Sequence, residues 1–168
     1  MTCRCFEPAD FAQLYAIEEE CCLPQLRFSR EYMRLLTERA NTATWIAEDQ
    51  GRMAGFAIVG WRRGRREIQA YIETIEVAEA MRGMGFGGQL LQWMETSARQ
   101  AGAKLIWLHV VESNTGAIRI YEAHGFQKQG REENFYPDGS AALIYAKTLA
   151  GMQSHEIVAE LGAKRKGA

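Results

Sequence analysis

Eight residues in the middle of the chain, Arg82-Gly83-Met84-Gly85-Phe86-Gly87-Gly88-Gln89, have the composition of a phosphate cradle. Glycines let a backbone turn its N–H groups inward at φ values that a Cβ forbids, and a helix starting there adds the positive end of its dipole. Ahead of this stretch Ile72, Thr74, Ile75 and Val77 read as a strand; after it Leu90, Leu91, Met94, Ala98 and Ala101 recur at helical spacing. The spacing therefore predicts an anion site at a strand-to-helix turn. Gly83, Gly85 and Gly88 also satisfy G-x-G-x-x-G, the dinucleotide fingerprint. That motif belongs in the first strand-turn-helix of a chain, with an acidic residue about twenty positions on. Here it lies mid-chain, after segments that read as antiparallel strands, and Glu112 is 24 residues past Gly88, so the dinucleotide match is imperfect.

A possible base lies in the run Lys104 to Val111, apolar except for His109. An imidazole can take a proton at neutral pH directly or through a water, but a lone histidine in an apolar strand also serves as a satisfied core residue. Glu73 is a rival. On strand alternation it shares a face with Tyr71, and a carboxylate against an apolar wall has its pKa raised toward neutrality. The cysteines, Cys3, Cys5, Cys21 and Cys22, have no histidine near them in sequence and lie far from His109, which favours reduced structural thiols over metal or nucleophile chemistry. Arg62-Arg63-Gly64-Arg65-Arg66 could hold an acidic partner or ribosomal RNA. With no aromatic residues interleaved, it reads better as a solvated hairpin tip.

The elements that must position these groups follow from pattern. Thr2 to Phe6 is a short strand, and Pro8 to Cys22 a helix with proline in its first turn and Phe11, Leu14, Tyr15 and Ile17 on its apolar side. Pro24 ends it, and the apolar loop Leu23 to Phe28 either plugs the core or lines a pocket. Ser29 is an N-cap for a second helix through Arg39. Thr42 to Glu48 and Met53 to Arg62 flank the turn Asp49-Gln50-Gly51-Arg52, and Ile68 to Val77 completes an antiparallel meander. Lys104 to Val111 suits a strand buried on both faces and parallel to its neighbour. Ser113 or Asn114 caps the next helix, which Gly125 stops, and Phe126 to Phe135 and Ala141 to Leu149 read as two closing strands. The predicted order is β-α-α-β-β-β-α-β-α-β-β, an α/β (α+β) fold over 1–150 with a tail, 151–168, that could form a short helix.

The chain has 168 residues, 47% of them apolar, which suits one domain with a sizeable core. A net charge of −1 supplies no global field for nucleic acid or an anionic membrane, so an anion site must be local. No apolar run reaches a membrane span of about 18 residues, and Met1 to Cys5 lacks a signal-peptide core, which points to the cytoplasm.

Two stretches carry a family resemblance. Ile75-Glu76-Val77 followed by Arg82-x-x-Gly85-x-Gly87 resembles the acetyl-CoA pyrophosphate loop of the GNAT acyltransferases. Leu108-His109-Val110-Val111-Glu112-Ser113-Asn114, with Ala117-Ile118, Tyr121 and Gly125-Phe126, resembles the signature of N-terminal protein acetyltransferases, among bacteria the ribosomal-protein alanine N-acetyltransferase group. Asn134-Phe135-Tyr136 is similar to the aromatic pair that those enzymes hold over the peptide, and Leu23-Pro24 to their apolar-proline loop. The ribosomal group typically carries Glu where this chain has His109; some eukaryotic members have Leu-His-Val there with a Tyr on the preceding strand, the position of Tyr71.

The resemblance implies a GNAT acyl-CoA N-acyltransferase fold over roughly residues 2 to 149, a mixed central sheet flanked by helices. It further implies direct transfer of acetyl from acetyl-CoA to an amine, with no metal and no acyl-enzyme. On this pattern the N–H groups of Met84, Gly85, Phe86, Gly87 and Gly88, with Gly83 in the turn and Arg82 adding charge, bind the pyrophosphate. The Ile75-Glu76-Val77 edge pairs with pantetheine and polarises the carbonyl, and Asn114 holds the pantetheine. Tyr121 protonates the leaving thiolate, while His109 and Tyr71, or Glu73, handle the amine proton. Leu23, Pro24, Phe135 and Tyr136 would receive a protein or peptide N-terminus. A small amine in an acidic enclosed pocket, or a non-catalytic acyl-CoA-binding module, are the alternative classes.

Overall fold

The computed structural model describes residues 1–149, 156, 157 and 161. Its strands are β1 (Thr2–Cys5), β2 (Thr42–Asp49), β3 (Arg52–Arg63), β4 (Ile68–Val77), β5 (Ala103–Val111), β6 (Gln127–Glu132) and β7 (Ala142–Thr148); its helices are α1 (Phe11–Cys21), α2 (Arg30–Glu38), α3 (Phe86–Gln100) and α4 (Thr115–Ala123). The mixed sheet runs β1-β2-β3-β4-β5-β7-β6. This is the predicted order, with 3-10 turns added at Pro8–Asp10 and Glu79–Met81. Among the described residues no helix is long and apolar enough to cross a membrane. The chain divides into two compact units, Met1–Gly60 with Ile72–Thr96, and Trp61–Tyr71 with Ser97–Ala168.

In the first unit β1, β2 and β3 pair antiparallel. Gln50 and Gly51 adopt φ of 48° and 76°, the left-handed pair that a two-residue hairpin requires. Phe11, Leu14, Tyr15 and Ile17 recur at helical spacing on α1 and bury their side chains with Met33 and Leu36 of α2 and Ile46, Met53, Phe56 and Ile58 of the sheet. The Ser29 hydroxyl accepts from the Tyr32 N–H at 3.1 Å, the cap read from sequence. The turn Pro8–Asp10 is of the 3-10 form, so the α-helix begins at Phe11 rather than Pro8. Arg62, Arg63, Arg65 and Arg66, in the second unit, are exposed at the β3–β4 turn.

In the second unit β4 pairs parallel with β5 from Ile68 to Tyr71, while β5–β7 and β6–β7 are antiparallel. Asn114 rather than Ser113 caps α4, its side chain accepting from Ala117 N–H at 3.2 Å. Gly125 ends the helix at φ 84°. One boundary here differs by more than a residue: β6 stops at Glu132 instead of reaching Phe135. Asn134 turns left-handed at φ 51°, and the Phe135 and Tyr136 N–H groups both donate to Ser140 O, at 3.1 and 3.2 Å, so local bonds replace the ladder. Of the predicted tail most lies outside the described residues, but Ile157 is buried with Leu105, Trp107, Ile144 and Ala146, and Leu161 packs against the same cluster.

Candidate active site

The glycine-rich turn in the first unit is built by β4, the 3-10 turn and α3. Met81 N–H donates to Ala78 O at 2.8 Å, and the Glu20 carboxylate accepts from Glu79 N–H at 2.6 Å, which fixes the chain leaving the strand. Gly83 and Gly85 sit at φ 78° and 89°, and an added Cβ at either would meet nothing within 4 Å. Glycine is needed there for backbone conformation, and the space beside it is open. Gly87 and Gly88 differ from expectation: they lie inside α3, which begins at Phe86, and have no positive φ. Gln89 N–H donates to Gly85 O at 3.2 Å, so Phe86, Gly87 and Gly88 occupy the first turn, whose N–H groups precede the helix's own acceptors. Phe86 anchors that turn in the core and Met84 is exposed. The fit to a pyrophosphate is chemical: an open surface, helix-start donors and no acidic side chain between Arg82 and Gln89.

Arg82 is bound back toward the strand. Its Nε donates to Val77 O at 3.2 Å, and its guanidinium lies 3.5 Å from Cys21 Sγ and 3.8 Å from Glu79. Along Ile75-Glu76-Val77, β3 approaches closely: a Cβ on Gly55 would sit 2.5 Å from Glu76 O. Beneath the strand Glu18, Cys22 and Glu76 bring ligand-capable atoms within 4.8 Å of one another. Glu18 Oε1 accepts from Phe28 N–H at 3.0 Å, pinning the loop after α1, while its buried Oε2 has no partner among the described residues. Burial, then the nearby Glu18 charge, push Glu76 up to about 7, and burial likewise raises Glu18. Burial raises the Cys21 thiol to about 12 and raises Cys22 as well. These are neutral thiols, unsuited to nucleophilic attack, beside a carboxyl pair suited to sharing a proton.

Leu23 and Pro24 are exposed, whereas Leu26 and Phe28 of the same loop are half-buried, Phe28 against the core. The loop thus plugs the core through Phe28 and leaves its Leu23–Pro24 end at the surface. Glu73, on β4, directs its carboxylate at Gly60 of β3: a Cβ there would lie 3.3 Å from Oε1.

The second unit brings Tyr71 and His109, two of the candidate proton-handling groups, together. Alternation sets Trp107 and His109 on one face of β5, and the register pairs Trp107 with Tyr71 of β4. The Tyr71 hydroxyl lies 2.9 Å from His109 Nδ1, with the Trp107 ring packed edge-on to both at 4.7 and 5.3 Å. Phe135 stacks on the imidazole at 4.1 Å and 17°, and Tyr136 packs edge-on to Phe135. Glu132 Oε2 lies 3.3 Å from His109 Nε2, within ion-pair range but out of line for a hydrogen bond in this rotamer. Desolvation lowers the His109 pKa and the Glu132 carboxylate opposes it. Burial, then Asp138, raise Tyr136 to about 12.

On α4, Tyr121 is buried with its ring 5.9 Å from Phe126, and Asn114 uses its side-chain oxygen as the helix cap. Glu132, Trp107 and Glu18 were not singled out from the sequence. Trp107 was accessible from the alternation that includes His109; Glu132 requires the registers of both β5–β7 and β6–β7, and Glu18 the fold of the following loop.

Comparison with known proteins bears on the family and the fold. Residues 11–126 match the acetyltransferase (GNAT) family. The [ribosomal protein bS18]-alanine N-acetyltransferase of Haemophilus influenzae is 29% identical over 144 residues, covering 86% of this chain and 93% of that protein. Streptothricin acetyltransferase of Streptomyces lavendulae is 36% identical over 100 residues, 59% of this chain, which spans only about half (52%) of that enzyme's length. The crystal structure of the ribosomal-protein-S18-alanine N-acetyltransferase from Escherichia coli superposes with a TM-score of 0.78 at 26% identity, covering 91% of this chain and 96% of that one.

Proposed function

Because the chain belongs to the acetyltransferase (GNAT) family, whose enzymes use acetyl-CoA as cosubstrate and need no metal, we propose that it transfers acetyl directly to the N-terminal α-amine of a protein or peptide. The observation that carries this reading is the Tyr71–His109 pair, 2.9 Å apart, beneath the stacked and exposed Phe135. A phenol and an imidazole in contact provide a path for one proton, and an α-amine, with pKa about 8, asks for little more. In this reading Phe135 and Tyr136 receive the peptide end.

The chemistry is a single displacement. The neutral amine attacks the thioester carbonyl, the C–N bond forms, the C–S bond breaks, the departing thiolate takes a proton from Tyr121, and the proton shed by the new amide nitrogen restores that phenol by way of solvent. Donors of the 82–88 turn hold the cosubstrate's phosphates, the Ile75–Val77 strand its pantetheine and carbonyl, and Asn114 the pantetheine. Raised pKa values at Cys21 and Cys22 argue against an acyl-cysteine. The reading assigns the protein to the cytoplasm, in keeping with its free cysteines. A small-amine acceptor is the second reading, favoured by the similarity to streptothricin acetyltransferase.

The test is a competition. Peptides with a free N-terminus should outcompete the same peptides blocked there but carrying lysine, whose pKa of about 10.4 leaves roughly two orders of magnitude less neutral amine at pH 7. Comparing pH–rate profiles of His109→Gln, Tyr71→Phe and Glu73→Gln on one peptide then identifies the base. Loss of the acidic limb in Glu73→Gln alone would transfer the role to that carboxylate.

A further inference from the structure

Glu132 lies on β6, two strands from β5 across β7, yet its carboxylate reaches the imidazole edge opposite Tyr71. His109 has two ring nitrogens and each meets one group: Nδ1 the Tyr71 hydroxyl at 2.9 Å, Nε2 the Glu132 carboxylate at 3.3 Å. Among the described residues the other groups against the ring carry no charge: Trp107 on β5, Phe135 on its loop and Ile144, paired with His109 on β7. An ionised carboxylate accepts but does not donate, so Nε2 carries the hydrogen, Nδ1 is the bare acceptor, and Tyr71 O–H donates to it.

We propose that Glu132 is a positioning residue for His109, fixing its tautomer and stabilising the imidazolium in a Tyr71–His109–Glu132 relay that removes the acceptor amine's proton. This rests on the acetyl-transfer reading above. As an ammonium gives its proton to Tyr71 Oη, the phenol's own proton passes to His109 Nδ1. The amine ends neutral, the phenol is restored, and the imidazole is cationic beside the carboxylate. Without that carboxylate the imidazolium would form against Phe135 and Trp107 in a side chain only 11% exposed, at a desolvation cost with nothing to offset it. Glu132 is itself a third exposed, which lets it respond without repacking the sheet.

The experiment follows the His109 ring by NMR across pH, its signal assigned by its loss in His109→Gln, alongside kcat/KM against pH on one peptide. In Glu132→Gln the imidazole pKa should fall by about one unit, a tenfold loss of proton affinity. The acidic limb of the rate should move down by the same amount, and the plateau should drop several-fold because a weaker base accepts less of the proton. KM and thermal midpoint should hold, and Glu132→Asp should recover part of both shifts. Loss of turnover in His109→Gln with an unmoved imidazole pKa and limb in Glu132→Gln overturns the role of Glu132 alone. Undiminished turnover in His109→Gln overturns the proton path itself, and this inference with it.

Discussion

Charges held away from water define the residue scale. Glu76 shows this in a form that stability can report. Its folded pKa, about 7, stands above the ordinary value of 4.5, so the native state binds more protons than the unfolded chain between those values. Stability from that group is full below pH 4.5 and lost as pH rises through 7. Glu76→Gln is neutral throughout, and its amide can donate to the unpartnered Glu18 Oε2. The variant should therefore gain stability over the parent at pH 8, by at most a few kcal/mol, and gain little at pH 5. Denaturant titrations at both values check the sign; an equal effect at each would mean that Glu76 is ionised in the fold. Tyr121 belongs to the same scale. Tyr121→Phe keeps the buried ring, so CoA binding should stay while turnover falls, and unchanged turnover with chemistry rate-limiting would remove the hydroxyl from the mechanism. Sequence reading reached Tyr121, Tyr71 and His109 because each sits in a recognisable string. It did not reach Glu132 or Glu18, whose partners are brought to them by strand register and by a loop.

At the scale of elements, the turn from β4 into α3 is the sharpest case. Gly85 needs φ 89° yet has open space around it, so a side chain there fails through the backbone before it fails through crowding. Gly85→Val should lose roughly 1–2 kcal/mol from left-handed strain and lose the thermal stabilisation that CoA gives the parent. A variant that keeps the CoA-dependent shift would move the phosphates elsewhere, and a comparable shift with NADH would revive the dinucleotide reading. The caps at Ser29 and Asn114 and the Gln50–Gly51 hairpin were legible because their signals are local: one side chain or one dihedral pair decides each. The end of β6 was not. Its strand is largely polar, and what stops it is Asn134 turning while Ser140 O collects two N–H groups, an event six residues ahead in the chain.

For the whole molecule, the order of elements along the chain and the family follow from patterns spread along most of the sequence, which is why they were readable before any single site was. The tail shows the limit. Ile157 and Leu161 pack on the Leu105–Trp107 cluster, and nothing in their own segment says which face would take them. The central claim concerns the acceptor. A peptide carrying both a free α-amine and an internal lysine offers the protein a choice in one tube with acetyl-CoA at neutral pH. Fragment masses then report which nitrogen was acetylated. The account predicts acetyl on the terminal nitrogen, with the lysine unmodified at low conversion; acetyl on the lysine, or an untouched peptide beside a readily acetylated small amine, would contradict it.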